Sequence, residues 1–147
     1  MIKKVSTDDL KIINKLEKRI FKSESFSKSL LKKLIDVNSL FLKLIKPNSE
    51  KDIIGYVILI KDEPRRLNLI NFAIRKKYQN KGYGSILLNK TLYVSKQISE
   101  INKVILNVKT TNNRAINLYK KFGFRIVDRI EDYYRQNESA YLMELKI

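Results

Sequence analysis

Residues 79–84 read Gln79-Asn80-Lys81-Gly82-Tyr83-Gly84 and lie between the best strand pattern, Leu67 to Ile74, and the longest helix pattern, which starts at Gly82. Two glycines at a strand-to-helix turn allow the backbone to turn tightly and to approach a ligand closely. Free N–H groups at a helix start, helped by the helix dipole, suit a diphosphate. Taken alone, the stretch fits an ordinary turn equally well, so it predicts the local fold and leaves the ligand open.

The hydrophobic periodicity around this turn predicts seven strands and four helices in the order βααβββαβαββ. The strand patterns are Ile2 to Val5, Leu40 to Ile45, Ile53 to Lys61, Leu67 to Ile74, Val104 to Val108, Phe124 to Ile130 and Ala140 to Ile147. The helix patterns follow Ser6 or Thr7, follow Ser27, start at Gly82 and cover Arg114 to Phe122.

This order predicts an α/β (α+β) fold: a mixed, mostly antiparallel sheet with helices on both faces. Three consecutive strands form an antiparallel meander, and the unit from Leu67 to Val108 makes a parallel crossover. A ligand is expected at the carboxyl end of the first strand of that unit. A length of 147 residues fits a single domain, 1–147.

The composition excludes several kinds of chemistry. The chain has no cysteine and no histidine, which removes disulfides, the usual zinc sites, and Ser-His or Cys-His catalysis. Acid and base roles are left to Tyr, Glu, Asp, Lys or water, and we expect no metal.

The sequence also bears on where the protein is located. The longest apolar stretches, such as Ile53 to Ile60, are far shorter than the roughly 20 residues that span a bilayer, and Met1 opens no signal-peptide pattern. We therefore expect a soluble, cytoplasmic protein with no membrane partner.

The net charge of +16 favours nucleic acid, a ribosome surface or a phosphate-bearing cofactor as a partner. Because the lysines are scattered, coding bias spread over solvated faces is the favoured explanation for most of them.

A second block, Asn112 to Phe124, reads NNRAINLYKKFGF. Together with Gln79 to Gly84 it resembles the GCN5-related N-acetyltransferase (GNAT) superfamily, whose blocks are Q/R-x-x-G-x-G/A after a strand and N-x-x-A-x-x-L-Y-x-x-x-G-F. Tyr133-Tyr134 followed by Ala140 to Met143 is similar to the ending of the RimI and Ard-type protein N-terminal acetyltransferases. The resemblance covers nearly the whole chain and is strongest from Leu67 onward.

The resemblance implies acetyl-CoA as the cofactor and CoA as the product. It implies that the pantetheine arm pairs with the backbone of Phe72, Ala73 and Ile74, where an N–H polarises the thioester carbonyl. The diphosphate then lies on the loop that contains Asn80, against the N–H groups of Gln79, Lys81, Gly82, Tyr83 and Gly84.

Two side chains of the second block have implied roles. The resemblance makes Asn112 a cofactor ligand near the pantetheine end, and Asn112 also suits a helix cap. It makes Tyr119 the general acid for the departing CoA thiolate, since an ordinary phenol with a pKa near 10 keeps its proton at neutral pH. Without the motif, Tyr119 would be interpreted as a core aromatic residue.

The acceptor side departs from the RimI pattern L-E-V-R. Asn107 stands where that pattern has a glutamate, and an amide cannot be a base. An α-amino group with a pKa of about 7.7 to 8.0 is already partly neutral, unlike a lysine near 10.4, so the change favours N-terminal amines with water carrying the proton. Acceptor binding is assigned to Phe26, in the loop after the first helix, and to Tyr133 and Tyr134; the alternative is that both tyrosines merely flank a strand.

Three functions remain open at this point. The first is acetylation of protein or peptide N-termini, with the ribosome or a ribosomal protein as a further partner. The second keeps the fold and changes the acceptor to a small amine or a lysine side chain. The third is a basic nucleic-acid or ribosome-binding module without catalysis, motivated by the charge and by Asn107. The sequence leaves both a monomer and a homodimer open.

Overall fold

One seven-stranded sheet runs through the computed structural model, which describes residues 1–37 and 39–147. The strands are β1 (Ile2–Lys4), β2 (Leu40–Lys46), β3 (Ser49–Glu63), β4 (Arg66–Ile74), β5 (Lys103–Lys109), β6 (Arg125–Tyr134) and β7 (Glu138–Lys146). The α-helices are α1 (Leu10–Phe21), α2 (Lys28–Asp36), α3 (Tyr83–Gln97) and α4 (Asn113–Lys121). The order is βααβββαβαββ, which confirms the predicted order.

The helix starts follow the predicted capping residues with one difference. The Ser27 side chain accepts a hydrogen bond from the Leu30 N–H at 3.1 Å and caps α2. After Ser6 the chain first makes a short 3₁₀ turn, so α1 begins only at Leu10. At this turn the Asp9 carboxylate accepts the Ser6 N–H at 2.9 Å and also forms a buried ion pair with Lys43 at 2.7 Å.

The sheet has the strand order β1-β2-β3-β4-β5-β7-β6, in which β4 pairs with β5 in parallel and the other neighbouring strands pair antiparallel. This confirms the mixed, mostly antiparallel sheet. The predicted start of β3 at Ile53 was too late, because β3 begins at Ser49 after a tight turn of Pro47 and Asn48. Asn48 has a φ of 65°, a left-handed conformation that Asn tolerates better than most residues.

Helices cover both faces of the sheet, as predicted. On one face, which we call the α1–α2 face, apolar side chains of α1 and α2 pack on Tyr56 and Ile58 of β3. On the α3–α4 face, side chains of α3 and α4 pack on Val57 and Leu59 of the same strand. In the part of the chain that the structure describes, no helix is both long and apolar enough to cross a membrane.

The two parallel strands separate part-way along their length. The pairing of β4 with β5 ends at Leu69 and Leu106. Beyond that point β4 stays paired with β3 as far as Ile74, and β5 stays paired with β7 as far as Lys109. The sheet therefore opens between them, and we call this opening the β4–β5 cleft.

A β-bulge lies where the strands separate. Ile58 and Leu59 of β3 face Asn71 and Leu69 of β4, which leaves Ile70 as an extra residue. Because side chains alternate along a strand, the extra residue reverses which face the later side chains take. Leu69 packs in the core of the α3–α4 face; after the bulge Phe72 packs there and Ala73 packs on the α1–α2 face.

Candidate active site

A cavity of about 480 Å³ lies at the carboxyl end of β4, between the start of α3 and α4. It occupies the position that the strand order predicted for a ligand. Its lining residues are Phe72, Ile74, Tyr78, Gln79, Asn80, Gly84, Thr111, Asn112, Asn113, Arg114, Ala115 and Leu118.

The glycines of the loop are needed for two different reasons. Gly82, the residue before α3, has a φ of 86°, which favours glycine, while a Cβ there would meet nothing within 4 Å. Gly84 lines the cavity, and a Cβ there would lie 3.4 Å from Leu118 and 3.8 Å from Phe72, so it would take up part of that space. Gly82 therefore sets the backbone, and Gly84 keeps the cavity open.

Four N–H groups at the helix start are available to a ligand. Among the residues that the structure describes, those of Lys81, Gly82, Tyr83 and Gly84 donate to no acceptor. Clustered N–H groups at the positive end of a 15-residue helix suit a diphosphate. The backbone thus fits the phosphate end of acetyl-CoA.

Gln79 corrects one predicted donor. Its N–H donates to the Lys76 carbonyl at 3.2 Å, because residues 76–78 form a 3₁₀ turn, and so it is not free for a diphosphate. The side chain instead joins two walls of the cavity: Nε2 donates to the Ile74 carbonyl at 2.9 Å, and Oε1 accepts from Arg114 of α4. Arg114 was not among the site residues predicted from the sequence.

The edge of β4 that faces the cleft corrects another prediction. The Arg75 N–H donates to Ile54 of β3, so strand alternation directs the backbone polar groups of Ala73 to β3 as well. A Cβ on Gly55 of β3 would collide with the Ala73 carbonyl. Phe72 and Ile74 therefore carry the groups that face the cleft, and Ala73 offers none for pairing.

Tyr119 combines the two alternatives considered from the sequence. It is 5% exposed and packs edge-on against Phe72, at 6.1 Å between ring centroids, and against Phe124 at 5.6 Å. It is thus a core aromatic residue that also touches the strand assigned to the cofactor. Burial raises the pKa of its hydroxyl, which stays protonated through neutral pH.

Asn112 caps α4, as one of its predicted roles required. Its Oδ1 accepts the Ala115 N–H at 3.2 Å. The residue also lines the cavity, so capping does not remove it from the ligand site.

Asn107 follows directly after the last β5 residue that pairs with β4. Its Nδ2 donates to the Tyr133 hydroxyl at 3.1 Å. Its Oδ1 is buried and has no hydrogen-bond partner among residues 1–37 and 39–147. Asn107 therefore brings a carboxamide and a tyrosine hydroxyl to the cleft, and the carboxamide cannot act as a base.

A charged group that the sequence analysis missed lies beside these residues. Lys109 Nζ lies 3.2 Å from a Glu24 carboxylate oxygen, 2.8 Å from one of Glu138, and 5.4 Å from the ring centroid of Tyr134. We call these four residues the Lys109 cluster. The hydrogen bond with Glu138 raises the pKa of Lys109, and burial raises that of the Tyr134 hydroxyl. One signal was available, since residues two apart on a strand share a face and Lys109 lies two residues after Asn107.

The Lys109 cluster joins three segments. Glu24 precedes α2, Lys109 ends β5, and Tyr134 and Glu138 flank the β6–β7 connection. Phe26 lies two residues after Glu24, is half-buried, and packs against the core of the α1–α2 face. The segments that carry the predicted acceptor residues therefore meet at Lys109.

These features agree with the similarity of the chain to known proteins. Residues 10–124 match the acetyltransferase (GNAT) family. The chain belongs to this family. It is 37% identical over 76 residues to an N-alpha-acetyltransferase of Sulfurisphaera tokodaii, covering 52% of this chain and 46% of that protein. It is 34% identical over 105 residues to an N-alpha-acetyltransferase of Sulfolobus acidocaldarius, covering 64% and 62%.

The fold has a solved counterpart in Arabidopsis thaliana NAA60 in complex with acetyl-CoA. The TM-score is 0.89 at 20% identity, over all of this chain and 99% of that one. This confirms the GNAT fold predicted from the sequence. The chain spans about half to two-thirds of the length of the curated relatives that it matches. In the described residues, no group of three acidic side chains is placed to hold a metal ion.

Proposed function

We propose that this acetyltransferase transfers the acetyl group of acetyl-CoA to the α-amino group of a protein or peptide N-terminus. The observation that carries the proposal is the amide of Asn107 at the cleft, which donates to the Tyr133 hydroxyl and, among the residues that the structure describes, forms no hydrogen bond with a carboxylate. Without a base in the protein, the acceptor amine must already be neutral when it attacks. An α-amino group with a pKa of about 7.7 to 8.0 is partly neutral near pH 7. The name of both relatives, N-alpha-acetyltransferase, supports the same acceptor. Membership of the RimI-like and Ard-type subgroup is part of this proposal.

The proposed binding mode of acetyl-CoA rests on the backbone. The edge of β4 at Phe72 and Ile74 would pair with the pantetheine arm, as an added strand does. The N–H groups of Lys81 to Gly84 would hold the diphosphate. Asn112, on the opposite wall, would contact the cofactor while its Oδ1 caps α4.

The proposed reaction is direct attack on the thioester. The neutral amine forms the C–N bond, the C–S bond breaks, and an N–H of the β4 edge stabilises the oxyanion in between, a contribution of about 3 kcal/mol for one good donor. The attacking nitrogen releases its proton to water near Asn107, and the CoA sulfur takes up one proton. Atoms and charges then balance without a carboxylate base.

Tyr119 would act on the leaving sulfur. A phenol whose pKa is raised by burial is a weaker acid than a thiol near 8.5, so complete proton transfer from Tyr119 to the thiolate is uphill. We therefore propose that Tyr119 donates a hydrogen bond as negative charge develops on the sulfur. In the whole reaction the sulfur gains one proton and the attacking amine loses one, and this proton from the amine makes protonation of the sulfur favourable.

The acceptor can be identified with one panel. Peptides that differ in their first two residues are incubated with acetyl-CoA, and each is paired with the same peptide blocked at its N-terminus and carrying one internal lysine. Spermidine represents small amines. We expect turnover of free N-termini only; turnover of spermidine or of the blocked peptides with none of the free N-termini would contradict the proposal.

The net charge of +16 supports a second candidate, binding to the ribosome. We propose a single-domain cytoplasmic enzyme that meets its substrates near the ribosome. Ribosome or RNA binding should weaken steeply between about 50 and 200 mM salt, as counterion release requires. Steep salt dependence without a rise in melting temperature on adding acetyl-CoA would favour a binding module over an enzyme.

A further inference from the structure

Glu17, in the middle of α1, is completely buried. Its Oε1 accepts hydrogen bonds from the Tyr56 hydroxyl at 2.7 Å and from Asn71 Nδ2 at 2.6 Å. Its Oε2 accepts the backbone N–H of Phe26 at 2.8 Å. Among the residues that the structure describes, Glu17 forms no salt bridge, so three donors stabilise a carboxylate with no cation beside it.

Such a group is unusual in a core built for stability alone. Glutamate is almost never fully buried without a charged partner, because removing its charge from water is costly. Apolar residues of similar volume often serve a core as well or better. All three partners of Glu17 are donors, and the two oxygens of a carboxylate have enough lone pairs to accept from all of them. The carboxylate also raises the pKa of the Tyr56 hydroxyl, after burial itself.

The three donors come from segments that must be aligned for acetyl transfer. Tyr56 lies on β3, and Asn71 lies on β4 between the Ile70 bulge and Phe72. The bulge directs Asn71 toward the α1–α2 face, where Glu17 lies. Phe26, one of the predicted acceptor residues, belongs to the connection between α1 and α2. Glu17 thus fixes this connection directly to the strand whose edge faces the cleft.

The connection has a second attachment of a different kind. Glu24, two residues before Phe26, binds Lys109, whose side chain is 36% exposed. An exposed ion pair is screened by salt and contributes little rigidity. The bond from the Phe26 N–H to a buried carboxylate is charge-assisted and shielded from water, so it is the stronger of the two.

We propose that Glu17 is a positioning residue for the acceptor, which holds the backbone at Phe26 at a fixed distance from the cofactor strand. The inference rests on the proposed function only in treating the α1–α2 connection as the acceptor side. Loss of the bond from the Phe26 N–H releases this connection, whereas the backbone pairing of β4 with β3 still holds the β4 edge, and in the described residues the α3 start forms no hydrogen bond with Glu17. The acceptor KM therefore rises, and the acetyl-CoA KM does not.

The test compares two variants that each remove contacts at this carboxylate. Glu17→Met keeps a similar length and leaves the Phe26 N–H without an acceptor. Tyr56→Phe also removes a hydrogen bond to Glu17 but keeps the bond to Phe26. We expect the acceptor KM to rise at least about tenfold in Glu17→Met, as for loss of a hydrogen bond to a charged group, and to change less than about twofold in Tyr56→Phe. Hydrogen exchange of the Phe26 amide should accelerate only in Glu17→Met.

A second pair of variants covers the case in which Glu17→Met does not fold. Phe26→Pro removes the N–H itself, and Ser25 before it has φ −67° and ψ 145°, which a following proline requires. Phe26→Ala loses the same ring but keeps the N–H. The proposal expects the acceptor KM of Phe26→Pro to exceed that of Phe26→Ala by about tenfold.

The acceptor in both experiments is whichever amine the wild-type chain acetylates. Failure of N-terminal acetylation, shown by the peptide panel, is therefore separate from failure of this inference. The inference is wrong if folded Glu17→Met keeps the wild-type acceptor KM, if Tyr56→Phe raises it equally, or if Phe26→Pro and Phe26→Ala do not differ.

Discussion

The two sides of the β4–β5 cleft are built in different ways. On the α3–α4 side, the candidate cofactor site consists of backbone N–H groups, glycines and aromatic packing. On the α1–α2 side, the candidate acceptor site consists of side chains joined across the sequence: the Lys109 cluster, the Asn107–Tyr133 pair and the Glu17 contacts. A backbone site binds a group common to all reactions of a family, whereas a side-chain site can change its acceptor by substitution.

The largest effect is expected at the backbone site. Gly82→Glu places a side chain at a φ of 86° and a negative charge beside the proposed diphosphate, so the affinity for CoA should fall at least about a hundredfold. Calorimetric titration with CoA measures it. Tyr93→Glu adds the same charge to the same helix at a residue that is 59% exposed and should bind CoA like the wild type. Normal affinity in Gly82→Glu would remove the diphosphate from the start of α3.

The next largest effect is expected at the Tyr119 hydroxyl, which is proposed to act on the sulfur that leaves when the acceptor attacks. Tyr119→Phe keeps the packing against Phe72 and Phe124 and removes the hydrogen bond to the leaving sulfur, so kcat should fall about a hundredfold while the Kd of acetyl-CoA stays unchanged. Steady-state kinetics and binding measure the two quantities. Tyr93→Phe, which removes an exposed hydroxyl, is the matched control. Wild-type kcat in Tyr119→Phe would take the hydroxyl out of the reaction.

Asn107 allows the acceptor side to be given a base. With Asn107, kcat/KM for a peptide should fall about tenfold for each pH unit below the pKa of its α-amino group, because only the neutral amine attacks. Asn107→Glu adds a carboxylate and should extend activity to lower pH and improve lysine-bearing acceptors. Asn107→Gln keeps an amide and should keep the wild-type slope. A flat profile in the wild type between pH 6 and 8 would point to a base elsewhere.

The smallest effect is expected at the Lys109 cluster. Lys109→Met frees Glu24 from the β6–β7 connection and should raise the acceptor KM about threefold, less at high salt, as expected for partly exposed ion pairs. Lys103→Met removes a comparable contact, with Glu144 at 3.5 Å, from the other end of the same strand and should leave the acceptor KM unchanged. Equal effects of the two variants would contradict a role for the cluster in acceptor binding.

The contrast between the two sides also explains what could be predicted from the sequence. The order of elements followed from periodicity, and the start of α3 followed from two glycines that are close in sequence. Glu24, Lys109 and Glu138 are far apart in the chain, and nothing in any one segment shows that they meet. Sequence motifs reveal contacts between residues that are close together in the chain, and the acceptor side has few such contacts.

Two errors on the cofactor side have local physical causes. The pattern of residues 67–74 reads as one regular strand, and the bulge at Ile70 becomes visible only through the register with β3. Ala73 was therefore predicted to offer a backbone polar group to the cleft, whereas its backbone polar groups point toward β3. Gln79 was assigned a free N–H because the 3₁₀ turn of residues 76–78, which uses it, has no strong sequence signal.

The bulge at Ile70 has a consequence for how the protein can vary. The one added residue reverses the alternation of side chains along β4. Side chains with odd residue numbers lie on the α3–α4 face before the bulge and on the α1–α2 face after it. Insertions or deletions of a single residue within β4 would exchange Phe72 with Asn71 and misdirect both at once. Changes in length are tolerable in the turns around Pro47 or Pro64, whereas the length of β4 is part of the active site.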